Sequence, residues 1–307
     1  MSWFLYAIFG HLANGVAFAI DKILLRSAFS RSATYAGMVG VLSTVVLLLI
    51  PFTHQWPQGT GGWTIAVVSG ATFILALWAF FAALARAEAS RVVPIVGSLI
   101  PMLTLAGTFL FLNERLTDKT FVGFAFLIAA TFILAGGGKG KPSSQTVWLS
   151  VASAILFAIA SVTAKYVYDT SGFLGGFIAI RIAAVVTSLL ILFVLDPTAG
   201  KEALSIIHPQ AHTTSKTKQP GKMDALLALV GQSLGAVGFL LVQIGVARGS
   251  ASIVNALQAV QYALLVIVAL VFARRAPQLL GESVTKHVII LKCIALALTA
   301  VGMYLIV

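Results

Sequence analysis

The sequence contains few charged residues. Of its 307 residues, 9% are Asp, Glu, Lys or Arg and 59% are hydrophobic, and the mean hydropathy is +1.01. A soluble domain carries about 25% charged residues. Because a soluble protein could not hide so much apolar surface from water, we expect an integral membrane protein.

Residues that commonly build catalytic and metal sites are also sparse. The single cysteine, Cys293, cannot form an internal disulfide. The chain has five histidines but no HExxH motif, no GxSxG motif and no acidic cluster. An intramembrane enzyme needs such groups gathered at membrane depth. We therefore expect no enzyme, no cofactor and no metal.

The net charge of +11 would point to nucleic acid in a soluble chain. Here the basic residues lie between apolar segments, as in loops that face an anionic membrane surface. We therefore expect no nucleic-acid partner. The first residues, "MSWFLYAIFGHLANG", have no basic leader region and no clear cleavage site, which indicates a retained first helix.

Long apolar runs dominate the chain. A membrane-spanning helix needs about 20 mostly apolar residues. Ten runs qualify, and we predict an all-α polytopic membrane protein with helices near 3–25, 34–52, 63–85, 91–112, 119–138, 147–168, 173–195, 225–247, 252–273 and 287–307. Most linkers are short. The long one, 196–224, is rich in Pro, Gly, Lys and Thr and is predicted to be a solvated loop.

The ten runs divide into two sets of five. "ARAEAS" at 85–90 matches "ARGSAS" at 247–252 in four of six positions, and both follow the third helix of their set. "ERLT" at 114–117 and "ESVT" at 282–285 precede the fifth helix of each set, and Lys22 aligns with Lys165. These matches predict one five-helix repeat over 1–140 and a second over 145–307.

Five is an odd number, so the second repeat would cross the membrane in the opposite sense. Inverted repeats recur in secondary transporters, where substrate binds between the halves and their rocking gives alternating access. More Lys and Arg lie in the loops opposite the N-terminus than in those beside it. The positive-inside rule therefore places both termini outside the cytoplasm.

A family resemblance rests mainly on the first half. Small residues at 85–89, Val93-Pro94, Pro101, "ERLT" at 114–117 and Gly123 resemble the EamA branch of the drug/metabolite transporter superfamily. The resemblance implies export or exchange of small metabolites such as amino acids, or of drugs, by a proton- or gradient-linked carrier. It also implies cytoplasmic termini, against the charge distribution, so orientation stays open.

The second half departs from the family pattern. It has Ala256 where Pro94 falls, Ala263 where Pro101 falls, and an extra stretch, "RRAPQLLG", before Glu282. The resemblance still extends over nearly the whole chain. We expect the protein in the inner (plasma) membrane of a bacterium.

Polar side chains follow one stripe of the predicted ninth helix. Spacings of three, six and seven residues place four of them on one face: Asn255, Gln258, Gln261 and Tyr262. Amides both donate and accept hydrogen bonds, which suits amino-acid or polyol groups. The alternative is that the stripe holds helices together. Gln232 and Gln243 on the eighth helix, eleven residues apart, are further cavity candidates.

The fourth helix carries two prolines seven residues apart, Pro94 and Pro101. Each removes a backbone hydrogen bond and frees a carbonyl for substrate or a hinge. The alternative is a kink that serves packing alone. Trp78 is a candidate for stacking on an apolar substrate, with core packing as the alternative.

Charged residues inside apolar runs are costly and therefore informative. Arg181 lies deep in the seventh helix and would bind an anion or pair with an acid, unless it snorkels to the surface. Asp21 shares a face with Asn14 and is the best candidate for a proton- or cation-coupling acid. Its neighbour Lys22 and the aligned Lys165 are candidates for a symmetric role.

These features lead us to expect a secondary transporter of small metabolites such as amino acids or related amphipathic compounds. The alternatives are a flippase for a lipid-linked sugar and, far behind, an intramembrane enzyme. The expected partners are a small-molecule substrate, the lipid bilayer and protons as coupling ion. The protein would act as a monomer or homodimer.

Overall fold

The described part of the chain is helical. The computed structural model describes residues 2–27, 31–87, 89–135, 143–207, 222–261, 263–264 and 286–306. These residues form eleven α-helices: α1 Trp3–Ser27, α2 Ser32–Leu42, α3 Gly59–Leu84, α4 Ala89–Leu112, α5 Asp118–Ala135, α6 Ser144–Ser171, α7 Phe173–Leu190, α8 Pro197–Ile207, α9 Lys222–Arg248, α10 Ala251–Ala256 and α11 Lys286–Ile306. A 3-10 segment, Ser43–Phe52, extends α2, and a π-helical turn, Ile191–Leu195, extends α7.

The long helices coincide with the apolar runs. Six helical segments among the described residues are long and apolar enough to span a membrane: Ser32–Phe52, Gly59–Leu84, Ile95–Leu112, Ser144–Ser171, Phe173–Leu195 and Leu229–Arg248. Many of their large apolar side chains face outward, such as Phe132 and Leu190, which are 50% and 49% exposed. An outward apolar surface is what lipid requires. The prediction of an α-helical membrane protein is therefore confirmed for the described part of the chain.

The prediction of a loop throughout 196–224 is wrong for its first part. Residues 197–207 form α8, and 208–221 lie outside the described residues. Asp196 caps this helix because its carboxylate accepts a hydrogen bond from the Ala199 amide at 3.2 Å. Pro197 occupies the first helical position, where no amide hydrogen is needed. Ala199 and Ala203 are buried against α2 and the end of α7.

Most large helix contacts join the first half of the chain to the second. Helix α1 packs along α9, α3 along α6 and α5 along α11, while α4 contacts α6 and α10, and α7 contacts α2 and α3. Glycines permit two close approaches. A Cβ on Gly10 would lie 2.8 Å from the Gly238 carbonyl oxygen, and one on Gly70 would lie 2.3 Å from the Ile180 carbonyl oxygen. Polar contacts add to this packing, because Ser69 Oγ donates to the Ala160 carbonyl at 2.9 Å.

Candidate functional site

A cavity of about 190 Å³ lies between the helices of the two halves. Its lining comes from α1, α3 and α4 in the first half of the chain and from α6, α7, α9 and α10 with the residues after it in the second half. The lining side chains are His11, Asn14, Ser69, Phe73, Leu77, Phe80, Val96, Ile100, Phe157, Ala160, Ser161, Ala164, Ile180, Arg181, Phe239, Val242, Gln243, Asn255, Gln258 and Gln261. The wall is therefore mainly apolar, with a limited set of polar groups, as in small-molecule sites.

Asn255 is held in place by two neighbouring helices. Its amide nitrogen donates to Thr104 Oγ1 on α4 and to Ser161 Oγ on α6, both at 3.0 Å. With both amide hydrogens used, its oxygen is the atom left to accept a hydrogen bond. Gln243 is oriented in a similar way, because the Tyr168 hydroxyl donates to Gln243 Oε1 at 2.8 Å. The amide nitrogen of Gln243 is therefore left to donate a hydrogen bond.

His11 joins α1 to the C-terminal end of α10. The last four carbonyls of a helix lack partners within it, and His11 Nε2 donates to one of them, the Val254 carbonyl, at 2.8 Å. A nitrogen that meets a carbonyl carries the proton, so Nδ1 of the neutral ring is an acceptor. The Gln261 side chain lies beside the ring. Within the described part of the chain, Nδ1 is buried and no group meets hydrogen-bond geometry with it.

Arg181 projects from the middle of α7 into a cluster of aromatic rings. Its guanidinium carbon lies 4.6 Å from the centroid of Phe73 on α3, 4.5 Å from that of Phe239 on α9 and 5.7 Å from that of Phe177. These cation–π contacts stabilise the charge. The side chain is 5% exposed, and its Nε has no hydrogen-bond partner among the described residues.

The first half of the chain matches a known family model. Residues 1–136 match the EamA-like transporter family. The first 136 residues of the chain are therefore similar to this family. EamA is part of the drug/metabolite transporter superfamily, so the resemblance seen in the sequence is confirmed over residues 1–136.

Two relatives extend the comparison. An uncharacterized transporter in the cobO 3' region of Sinorhizobium sp. is 29% identical over 138 residues, which are 44% of this chain and 96% of the relative. A crystal structure of a protein superposes with a TM-score of 0.65 at 18% identity and covers 98% of this chain and 97% of its own. At that identity the likeness shows the fold alone. The family match and the name of the relative both point to membrane transport.

Six of the predicted site residues lie around the cavity. They come from α1, α7, α9 and the α10 region: Asn14, Arg181, Gln243, Asn255, Gln258 and Gln261. The predicted polar stripe therefore faces the cavity at three of its four positions, since Tyr262 lies outside the described residues. Their part in transport stays a prediction.

Other predicted site residues lie away from the cavity lining. Trp78 packs against a cluster that contains Tyr35 and Phe81. This position fits core packing, the alternative to stacking on substrate. Gln232 Nε2 donates to the Tyr35 hydroxyl at 3.1 Å. Pro101 is buried in α4, which continues through it. For Pro94, Asp21 and Lys22 the backbone is helical, and their side chains lie outside the described part.

Lys165 lines a second pocket instead of the cavity. Its Nζ lies 2.7 Å from Asp169 Oδ1 and donates to the Ala247 carbonyl at 3.4 Å. This pocket, of about 390 Å³, lies where α4, α6 and α9 end. Glu114 also lines it, and Glu114 Oε1 accepts a hydrogen bond from Ser252 Oγ at 3.1 Å. An ion pair of this kind already satisfies the lysine charge.

Sequence reasoning missed several lining residues. His11 precedes Asn14 by three residues and so shares its helix face, which was a readable signal. Phe73, Phe157 and Phe239 gave none, because an aromatic residue in an apolar helix is common whether or not it meets a cavity. Ser69 and Ser161 are equally ordinary in membrane helices, where small hydroxyl residues serve packing.

Proposed function

We propose that this protein is a secondary transporter that moves small amphipathic metabolites, such as amino acids, by alternating access between two inverted five-helix repeats. The observation that carries the proposal is the position of the cavity. Helices from both halves of the chain enclose it, and substrate in such carriers binds at the interface between repeats.

The packing of the helices supports the repeat. We take α1–α5 as one unit and α6, α7, α9, the α10 region and α11 as the other. The first and third helices are then α1 and α3 in the first unit, and α6 and α9 in the second. The pairs α1–α9 and α3–α6, both extensive, then exchange with each other under a two-fold operation. The pair α5–α11 maps onto itself. The relative from Sinorhizobium fits this organisation, because 44% of the chain spans 96% of it.

The wall of the cavity supports the substrate class. Amide, hydroxyl and guanidinium groups lie beside Phe73, Phe157 and Phe239, so one molecule can find polar and apolar partners together. A volume of about 190 Å³ suits a small metabolite and is far smaller than a lipid-linked sugar. The transporter is therefore better supported than the flippase.

The test is a resistance screen followed by a flux measurement. Cells that overproduce the protein are challenged with toxic levels of single amino acids and related metabolites. For each compound to which the protein confers resistance, flux is then measured in proteoliposomes with and without a pH gradient. We expect flux of at least one such compound above empty liposomes. If purified protein in sealed liposomes moves none of them, the proposal fails.

A matched pair of variants ties the flux to the cavity. Gln258 lines the cavity, whereas Phe132 on α5 faces outward and is 50% exposed. Gln258→Leu removes a polar lining group, and we expect it to reduce flux strongly. Phe132→Leu changes the outward surface, and we expect it to leave flux unchanged. Equal flux from both variants would contradict the placement of the pathway.

A further inference from the structure

The chemistry of the cavity limits what it can bind. This inference rests on the proposed function, since it names the substrate class of the same site. We propose that Arg181 binds a carboxylate and that the transported molecule is therefore an amphipathic carboxylate, either an anion or a zwitterion.

The first step of the argument is the missing counter-charge. Arg181 is 95% buried, being 5% exposed, and lies within the apolar segment Phe173–Leu195. Within the described part of the chain it makes no ion pair, and its Nε donates to no acceptor. A buried charge without a partner is strongly destabilising. A bound anion relieves that penalty, and a bound cation increases it.

The second step concerns the shape of the anion. Phe73 and Phe239 lie 4.6 and 4.5 Å from the guanidinium carbon, and rings at that distance occupy the space around the group. Hydrogen bonds from a guanidinium lie in its plane, where its fork of N–H groups matches the two oxygens of a carboxylate. A planar carboxylate is therefore the anion that the site fits best.

The remaining lining explains the rest of the substrate. Phe157, Leu77 and Phe80 extend the apolar wall, so an aliphatic or aromatic side chain has a place to pack. On other helices, the Asn255 oxygen and His11 Nδ1 are acceptors, as their hydrogen bonds leave them. An ammonium group needs such acceptors. These acceptors can bind an α-amino group, while the carboxylate at Arg181 supplies the main interaction with the molecule.

Three probes that share the isobutyl side chain of leucine separate these contributions. Leucine carries both charged groups, 4-methylpentanoate carries only the carboxylate and 3-methylbutylamine carries only the amine. Binding is measured as the rise in melting temperature of the purified protein in detergent. We expect leucine and 4-methylpentanoate to raise it and 3-methylbutylamine to leave it unchanged. An amine that stabilises as well as the carboxylates would overturn the proposal.

Arg181→Gln tests the residue directly. Loss of one partner of a buried charge pair weakens binding by about thirtyfold or more, so the response to both carboxylates should disappear. The unliganded variant should melt no lower than the wild type, because an uncompensated charge has been removed. Should it not accumulate, Arg181→Lys keeps the charge but loses the fork, and weaker leucine binding is expected. Wild-type affinity in either variant would refute the role of Arg181.

Flux distinguishes this inference from the proposed function. Suppose that the wild type transports an amino acid and Arg181→Gln transports it equally well. That result would support the proposed transporter and refute the carboxylate site at Arg181. Suppose instead that carboxylates bind through Arg181 but no flux is measured in proteoliposomes. That result would support the carboxylate site and refute the proposed transport function.

Discussion

The contact between Gly70 and α7 offers a sharp test of how the fold positions Arg181. A Cβ added at Gly70 would lie 2.3 Å from the Ile180 carbonyl oxygen, 2.7 Å from Ala183 Cβ and 2.8 Å from the Ala184 nitrogen. Ordinary contact starts at 3.4 Å, so in Gly70→Ala the two helices must separate by about 1.1 Å. Ile180 directly precedes Arg181, and the shift therefore carries the guanidinium with it.

We expect two effects of Gly70→Ala. Overpacking of this kind destabilises by about 1–3 kcal/mol, which lowers the melting temperature. Displacement of a positioning group by 1 Å reduces rates by as much as about a hundredfold, so flux through the cavity should fall steeply. Melting in detergent and flux in proteoliposomes, with equal amounts of inserted protein, measure the two effects separately.

The same helix provides the control. Gly61 lies on α3 with no atom within 4 Å of its would-be Cβ, so Gly61→Ala adds only the helix propensity of alanine, roughly 0.5–1 kcal/mol in favour of folding. We expect this variant to be at least as stable and as active as the wild type. If Gly70→Ala behaved like Gly61→Ala in both assays, the close approach of α3 and α7 would be refuted.

Three further predictions concern polar groups. Replacing Asn255, Gln258 or Gln261 by Leu should reduce flux strongly while the protein still reaches the membrane. Normal flux in all three variants would exclude a role for these residues in transport. Asp21→Asn should abolish transport driven by a pH gradient while exchange is retained, and an unchanged pH dependence would exclude Asp21 as the coupling acid. Hydrogen bonds from Thr198 and the Ala199 amide, together with Arg31 at 3.2 Å, lower the pKa of Asp196 below its usual 3.8. The stability that Asp196 contributes is therefore present above pH 3.8 and is lost as the pH falls through the lowered pKa. The melting-temperature gap between wild type and Asp196→Ala should close on acidification, and a constant gap would contradict the capping role.

The sequence predicted most of the helices because apolar length is a direct requirement of the bilayer. It missed α8, since the composition of 196–224 is that of a loop while its first residues carry a local cap at Asp196 and Pro197. That signal is short and was outweighed by the Lys, Thr and Gly that follow. The family was readable from the motifs of the first half.

The site was predictable only where helical spacing alone defines a face. The stripe that includes Asn255, Gln258 and Gln261 faces the cavity because residues three apart lie on one side of a helix. Lys165 could not be placed in this way, because its partner Asp169 and the second pocket depend on how the ends of three helices meet. The aromatic cluster at Arg181 draws on α3, α7 and α9, and no local pattern encodes such a meeting.

Alternating access at the cavity is the central claim, and thiol labelling tests it without knowledge of the substrate. In a Cys293→Ser background, which removes the single native cysteine, Ala160→Cys places a thiol in the cavity wall. The adjacent Ile159→Cys points outward, where Ile159 is 38% exposed, and serves as the control. A charged thiol reagent that cannot cross membranes should label Ala160→Cys from either side of the membrane and leave Ile159→Cys unlabelled. Labelling of Ala160→Cys from one side only, under every gradient and ligand tried, would contradict the account.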